Sequence, residues 1–169
     1  MGTRHLIQVN YKGQTRIAQY GQWDGYPSGQ GKTVLNFLKT RNLEEFKKKL
    51  ENVFWVTPKE VDDSWINSGA SKKDLSIGFG MDVCNNHTRL YPELSRDTGA
   101  KILDIVLDSD KTGLKNSEDF KEDTLFCEWY YLIDLDKNTL EVGNGASKTY
   151  QLDNLPEYEQ FLKDLGEKE

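Results

Sequence analysis

The chain has 169 residues, with 22 Lys and Arg against 28 Asp and Glu, and so carries a formal charge of −6. That length suits one globular domain, and the acidic balance argues against a nucleic-acid partner, since a phosphate backbone selects a basic face. No apolar run approaches the roughly 18 residues of a membrane span, and the start, Met1 to His5, has no long apolar stretch, so a soluble cytoplasmic chain is expected.

Thr3 to Tyr11 reads as a strand, with Ile7, Val9 and Tyr11 on one face and Leu6 on the other. Lys12-Gly13 supplies a tight turn, and Arg16 to Tyr20 returns as the second strand of a hairpin. Gly21 to Gly31, GQWDGYPSGQG, is a glycine-rich loop. It leads into a helix from Lys32 to about Lys39. Asn42 caps a second helix, with Glu45 as its capping-box partner and Leu43, Phe46, Leu50 and Val53 as its inner face. Thr57, Pro58 and Glu60 open a third helix, which Gly69 ends. Leu75 to Gly80 reads as a short strand. Asp97 or Thr98 caps a helix running to about Leu107. Lys111 to Asp123 reads as polar loop.

Leu125 to Leu135 is the strongest strand pattern, rich in aromatics. Asp136-Lys137-Asn138 turns it into Thr139 to Val142, and Lys148 to Leu152 adds another strand. Asn154 and Glu157 box a final helix that Gly166 stops. Two hairpins interleaved with about five helices predict an α+β class with antiparallel pairing.

Several motifs fall short of the chemistry they echo. Gly29-Gln30-Gly31-Lys32-Thr33 resembles the end of a P-loop, but the first glycine of that motif would stand at Tyr26. Asp108 to Asp119 opens like a calcium loop, yet Lys115 and Asp119 replace the apolar and bidentate positions that complete it. With His5 and His87 as the only histidines and Cys84 and Cys127 as the only cysteines, no zinc spacing exists, and both thiols are expected free. His87 has no assignable nucleophile. No catalytic residue, metal or cofactor is therefore expected.

The candidate binding residues are Gln22, Trp23, Asp24 and Tyr26, together with Lys32 and Arg96. Trp23 and Tyr26 either pack over the hairpin edge or form an aromatic platform for a ligand or partner. In the second case Asp24 supplies an acceptor. Glycine-rich backbone at a helix start, with Lys32, then offers an anion site for a nucleotide-like metabolite or an acidic peptide. Arg96 is either a surface ion pair or part of that site.

Met1-Gly2-Thr3-Arg4, Trp23-Asp24-Gly25-Tyr26-Pro27-Ser28-Gly29-Gln30-Gly31, Leu94 to Ala100 and Phe126 to Asp136 together resemble a widespread uncharacterised family. Its members occur in bacteria, phages and prophages, with distant fungal relatives. The resemblance spans most of the chain and implies no particular activity. Phage occurrence implies a small protein that binds a host component, as in counter-defence. The element order also loosely resembles the N-terminal-nucleophile hydrolases, with Thr3 as nucleophile after further processing. The leading expectation is a binding protein for a small anionic molecule or a host protein; the alternative is a hydrolase of that type.

Overall fold

A computed structural model describes residues 2–166, with every side chain in that range except those of Ser76 and Ile77. The architecture is α+β, built on a five-stranded sheet of order β2-β1-β5-β6-β7. Its strands are β1 (His5–Tyr11), β2 (Gln14–Gly21), β5 (Trp129–Asp134), β6 (Thr139–Asn144) and β7 (Ala146–Gln151). β1–β2, β5–β6 and β6–β7 pair antiparallel, as two hairpins and a further return strand. The hairpins meet along a parallel join of β1 with β5, from His5↔Trp129 to Asn10↔Asp134. The sheet is therefore mixed, where local pattern predicts antiparallel pairing alone.

The first turn follows from its residues. Lys12 and Gly13 both take positive φ, 54° and 70°, which matches the twist of a two-residue hairpin. Asp136, in the turn between β5 and β6, accepts from the Lys12 and Gly13 N–H groups at 2.8 Å each. These backbone bonds hold its carboxyl below the usual range. One aspartate thus ties the two turns together at the same end of the sheet.

Between β2 and β5 the chain forms α1 (Lys32–Thr40), α2 (Leu43–Leu50), β3 (Val53–Trp55), α3 (Pro58–Asn67), α4 (Asp74–Ile77), α5 (Met81–Leu90), α6 (Ile102–Leu107) and β4 (Thr112–Leu114). After β7 comes α7 (Tyr158–Asp164). Alternating strand residues, among them Ile7, Val9, Tyr131, Ile133 and Val142, join Leu35, Phe46, Leu103 and Phe161 in one core. The caps act as their sequence predicts. Asn42 accepts from Glu45 N at 3.1 Å, and Thr57 and Glu60 form a reciprocal capping box.

Several elements differ from expectation. Val53 leaves the helix and enters β3, which pairs parallel with β4 inside the segment expected to be loop. Leu75 to Gly80 is no strand. Ser71 and Asp74 cap each other, one helical turn follows as α4, and Gly78 ends it at φ 110°. α5 appears where no element was expected. β5 starts only at Trp129, because Asp123 holds Leu125 and Phe126 in a local turn. Asn154 caps nothing. Leu155 precedes Pro156 and is held extended at ψ 142°, so α7 waits until Tyr158.

One asymmetry positions the site. Among the described residues, nothing from Phe54 to Gly99 joins the main core. Helices α3 and α5, with Phe79 from the link between α4 and α5, form a satellite around their own stack of rings. Trp65 lies parallel to Phe79 at 4.0 Å and to His87 at 3.7 Å, and Tyr91 continues the row at 5.6 Å from His87. Main body and satellite thus have separate cores, and the boundary between two such cores is a common place for a cleft.

Candidate ligand cavity between the sheet and the helical satellite

The glycine-rich loop is closed by its own bonds. Gly25 N–H donates to Thr3 O, Gly29 and Gly31 N–H to Tyr26 O, and Gln30 N–H to Asp24 O, at 2.8–3.2 Å. Those donors are spent within the protein, so the backbone there is not the open anion nest that its glycines suggest. Asp24 stands at φ 56°, and Pro27–Gly31 form a wide π turn, closed by Gly31 N–H on Tyr26 O, that runs into α1. Beneath it the Tyr131 hydroxyl donates to Gly25 O at 2.6 Å.

A second segment, 95–100, docks on this loop. Gln22 N–H donates to Arg96 O at 2.9 Å, and Gln30 accepts from Ala100 N at 2.8 Å while its amide donates to Trp23 O. Gln19 donates to Ser95 O, and the Ser95 hydroxyl meets Thr88 of α5 at 2.9 Å. Asp97 does not cap the following helix. Its carboxylate accepts from the Trp23 indole N–H at 2.6 Å. Trp23 is therefore fixed at both its backbone and its ring, yet stays 45% exposed.

Between this wall and the satellite lies a cavity of about 640 Å³. Tyr20 and Trp23 line it on the sheet side, with Trp65, Phe79 and His87 on the satellite side. Arg96 and Lys115 bring positive charge, and Asp97, engaged by Trp23, brings negative charge. Among the described residues neither Arg96 nor Lys115 has an ion-pair partner. Burial pushes the Tyr20 phenol up, while Arg4 and Arg96 pull it back.

His87 shows what the walls are like. Burial, with Lys115 adding to it, lowers its imidazole to about 4, so the ring is neutral at physiological pH. Its Nε2 lies 2.9 Å from Ser64 Oγ, whose own proton goes to Val61 O at 2.6 Å. The imidazole must therefore donate from Nε2, which leaves Nδ1 as an acceptor. Ser64 is buried, points its proton away from the ring and does not line the cavity. The pair braces α3 against α5 and is not arranged as a base with its nucleophile.

The residues singled out from sequence separate in space. Trp23 and Arg96 line the cavity. Gln22 stands behind them, its amide oxygen accepting from Tyr20 at 2.6 Å. Asp24 and Tyr26 belong to the outer loop and do not line the cavity. Lys32 lies elsewhere, with its ammonium 4.9 Å from the Tyr158 ring centre. Thr3 is buried under the loop and also lies outside the cavity. Trp65, Phe79, His87 and Lys115 are among the lining residues that the sequence did not mark for binding. Only the lone His87 and the two glycines flanking Phe79 hint at them. No group of three or more potential metal ligands occurs among the described residues. Asp110 of the 108–119 segment instead pairs with Lys49 at 2.7 Å.

The thiols also differ. Both are free. Cys127 is pushed up to about 11 by burial, with Asp123 and Glu128 adding to the shift, so little thiolate forms near neutral pH. Cys84 lines the cavity. Native titration with a thiol reagent at pH 8 is expected to label Cys84 quickly and Cys127 slowly, with both found after denaturation. Equal native rates would contradict this placement.

No family model, curated protein or solved structure matches the chain in the comparisons made with each. No helix among the described residues is long and apolar enough to cross a membrane.

Proposed function

We propose that this is an intracellular binding protein that holds a small anionic molecule in the cavity between its sheet and its helical satellite. The observation that carries the reading is the pair Arg96 and Lys115, both in the wall of a 640 Å³ cavity and neither matched by a carboxylate among the described residues. A chain of net charge −6 repels anions at long range, so retaining unpaired cations at one concave place favours local capture of a small anion over a nucleic acid. The cavity volume falls within the roughly 300–1,000 Å³ of small-molecule sites. Loop 21–31 contributes the Trp23 wall, while Gln22, Asp24 and Tyr26 keep that wall in place.

Thermal melts with phosphate, pyrophosphate and citrate at constant ionic strength test this. A ligand at about one hundred times its Kd adds about 2.7 kcal/mol, or roughly 5–10 °C for a chain of this size. Arg96→Ala and Lys115→Ala are expected to melt near the wild type without ligand and to lose most of that shift. An equal shift in Arg96→Ala, or no shift with any anion, would contradict the proposal.

A further inference from the structure

We propose that the anion carries a planar nitrogen heterocycle, so that the ligand class is a nucleoside monophosphate, with the ring held by the aromatic walls and the phosphate by Arg96 and Lys115. This rests on the anion-binding reading above and goes further by naming the ligand. An inorganic anion makes no use of aromatic walls, yet rings from both sides of the cleft face this cavity: Tyr20 and Trp23 from the sheet side, Trp65 and Phe79 from the satellite. Trp65 is spent in the satellite's own stack between Phe79 and His87, whereas Trp23 belongs to neither core and keeps an open ring.

Trp23 is the best placed of them. It is 45% exposed, but its indole N–H is held by Asp97 at 2.6 Å and its carbonyl by Gln30 at 3.2 Å. An exposed ring fixed in this way loses little further freedom when a second ring stacks on it, which is what a stacking platform requires. Arg96 is the residue before Asp97, so the cation sits one peptide away from the group that orients the platform. The remaining polar groups suit a heterocycle edge. The amide of Asn85, in the lining, offers a donor and an acceptor together, and Thr88 adds a hydroxyl. Phosphate beside an aromatic platform and a donor–acceptor edge is the recognition pattern of a mononucleotide.

Isothermal titration with AMP, adenosine and inorganic phosphate decides it, on the wild type and on Trp23→Ala, Trp23→Phe and Arg96→Ala. AMP is expected to bind at least about ten-fold tighter than phosphate and than adenosine, since stacking on an aromatic contributes that much or more. Trp23→Phe, which keeps a ring but loses the N–H that Asp97 holds, retains part of the preference. Trp23→Ala brings AMP down to the phosphate level and weakens phosphate far less than it weakens AMP. Arg96→Ala weakens AMP and phosphate together. If phosphate and AMP bind alike and Trp23→Ala changes neither, the heterocycle is wrong while the anion site stands. If AMP and phosphate both fail to bind the wild type, this inference is overturned, and phosphate as an anion of this site falls with it. Should Trp23→Ala not fold, the wild-type ranking of the three probes still decides.

Discussion

Tyr131→Ala is expected to lower stability by about 4 kcal/mol, the usual loss when a large buried aromatic is cut to Ala. At about 2–4 °C per kcal/mol that is roughly 8–16 °C in Tm. Tyr131 lies mid-way along β5 and is wholly buried, among the largest such side chains in the protein. Its ring packs where a Cβ on Gly31 would come within 3.0 Å, and its hydroxyl reaches Gly25 O at 2.6 Å. The residue therefore joins the core of the sheet to the loop that carries Trp23. Tyr131→Phe keeps the ring and removes the hydroxyl with its hydrogen bond to Gly25 O, at a cost of about 1–2 kcal/mol. Urea unfolding of the two variants separates these contributions. A Phe variant as unstable as the Ala variant would mean that the hydroxyl, not the packing, holds this junction.

Acid is expected to destabilise the protein between pH 6.5 and 4 through His5. This ring is fully buried in β1, and neither nitrogen makes a hydrogen bond of good geometry. It fits because Gly21, opposite it in β2, has no Cβ; a methyl there would overlap the imidazole. Burial lowers His5 to about 4, outweighing the Thr3 carbonyl and the Asp24 carboxylate, which pull upward. The folded state thus binds this proton more weakly than the unfolded chain, whose histidine titrates near 6.5. The stabilising difference is complete above pH 6.5, is lost as pH falls toward 4, and is gone below that. Its size is about 3 kcal/mol. His87 is displaced in the same direction and adds to the loss in the same window. Urea midpoints at pH 7 and pH 4.5 should therefore differ strongly in the wild type and less in His5→Leu. An unchanged acid loss in His5→Leu would place the effect elsewhere.

Local signals made part of this molecule readable. The Lys12-Gly13 turn, the Asn42 cap and the Thr57–Glu60 box each depend on a few adjacent residues, and each forms where its residues predict. The parallel join of β1 with β5 does not, because nothing in either strand's alternation specifies a partner more than a hundred residues away. The satellite was hidden for a different reason. Its interior is a row of stacked rings and a neutral histidine, which leaves no aliphatic stripe at helical spacing. The cavity depends on both of these features, so sequence points to Trp23 and Arg96 but not to Trp65, Phe79, His87 or Lys115 across from them. Lys32 failed as a neighbour of Trp23 through simple geometry. The loop closes on its own carbonyls, and the first side chain of α1 emerges toward Tyr158. Asp97 had a sufficient local role as a cap and is used instead by an indole 74 residues away in sequence.

The chain's four tryptophans provide the most direct test of the cavity. Trp23 and Trp65 line it, whereas Trp129 is buried in β5 and Trp55 stands exposed on β3. In a ¹⁵N-labelled sample, the indole N–H resonances can be followed during titration with phosphate and then with AMP. The Trp23 and Trp65 signals are expected to move in a saturable way while those of Trp55 and Trp129 stay in place. Four unmoved signals, or movement confined to Trp55, would contradict an anion site in this cavity.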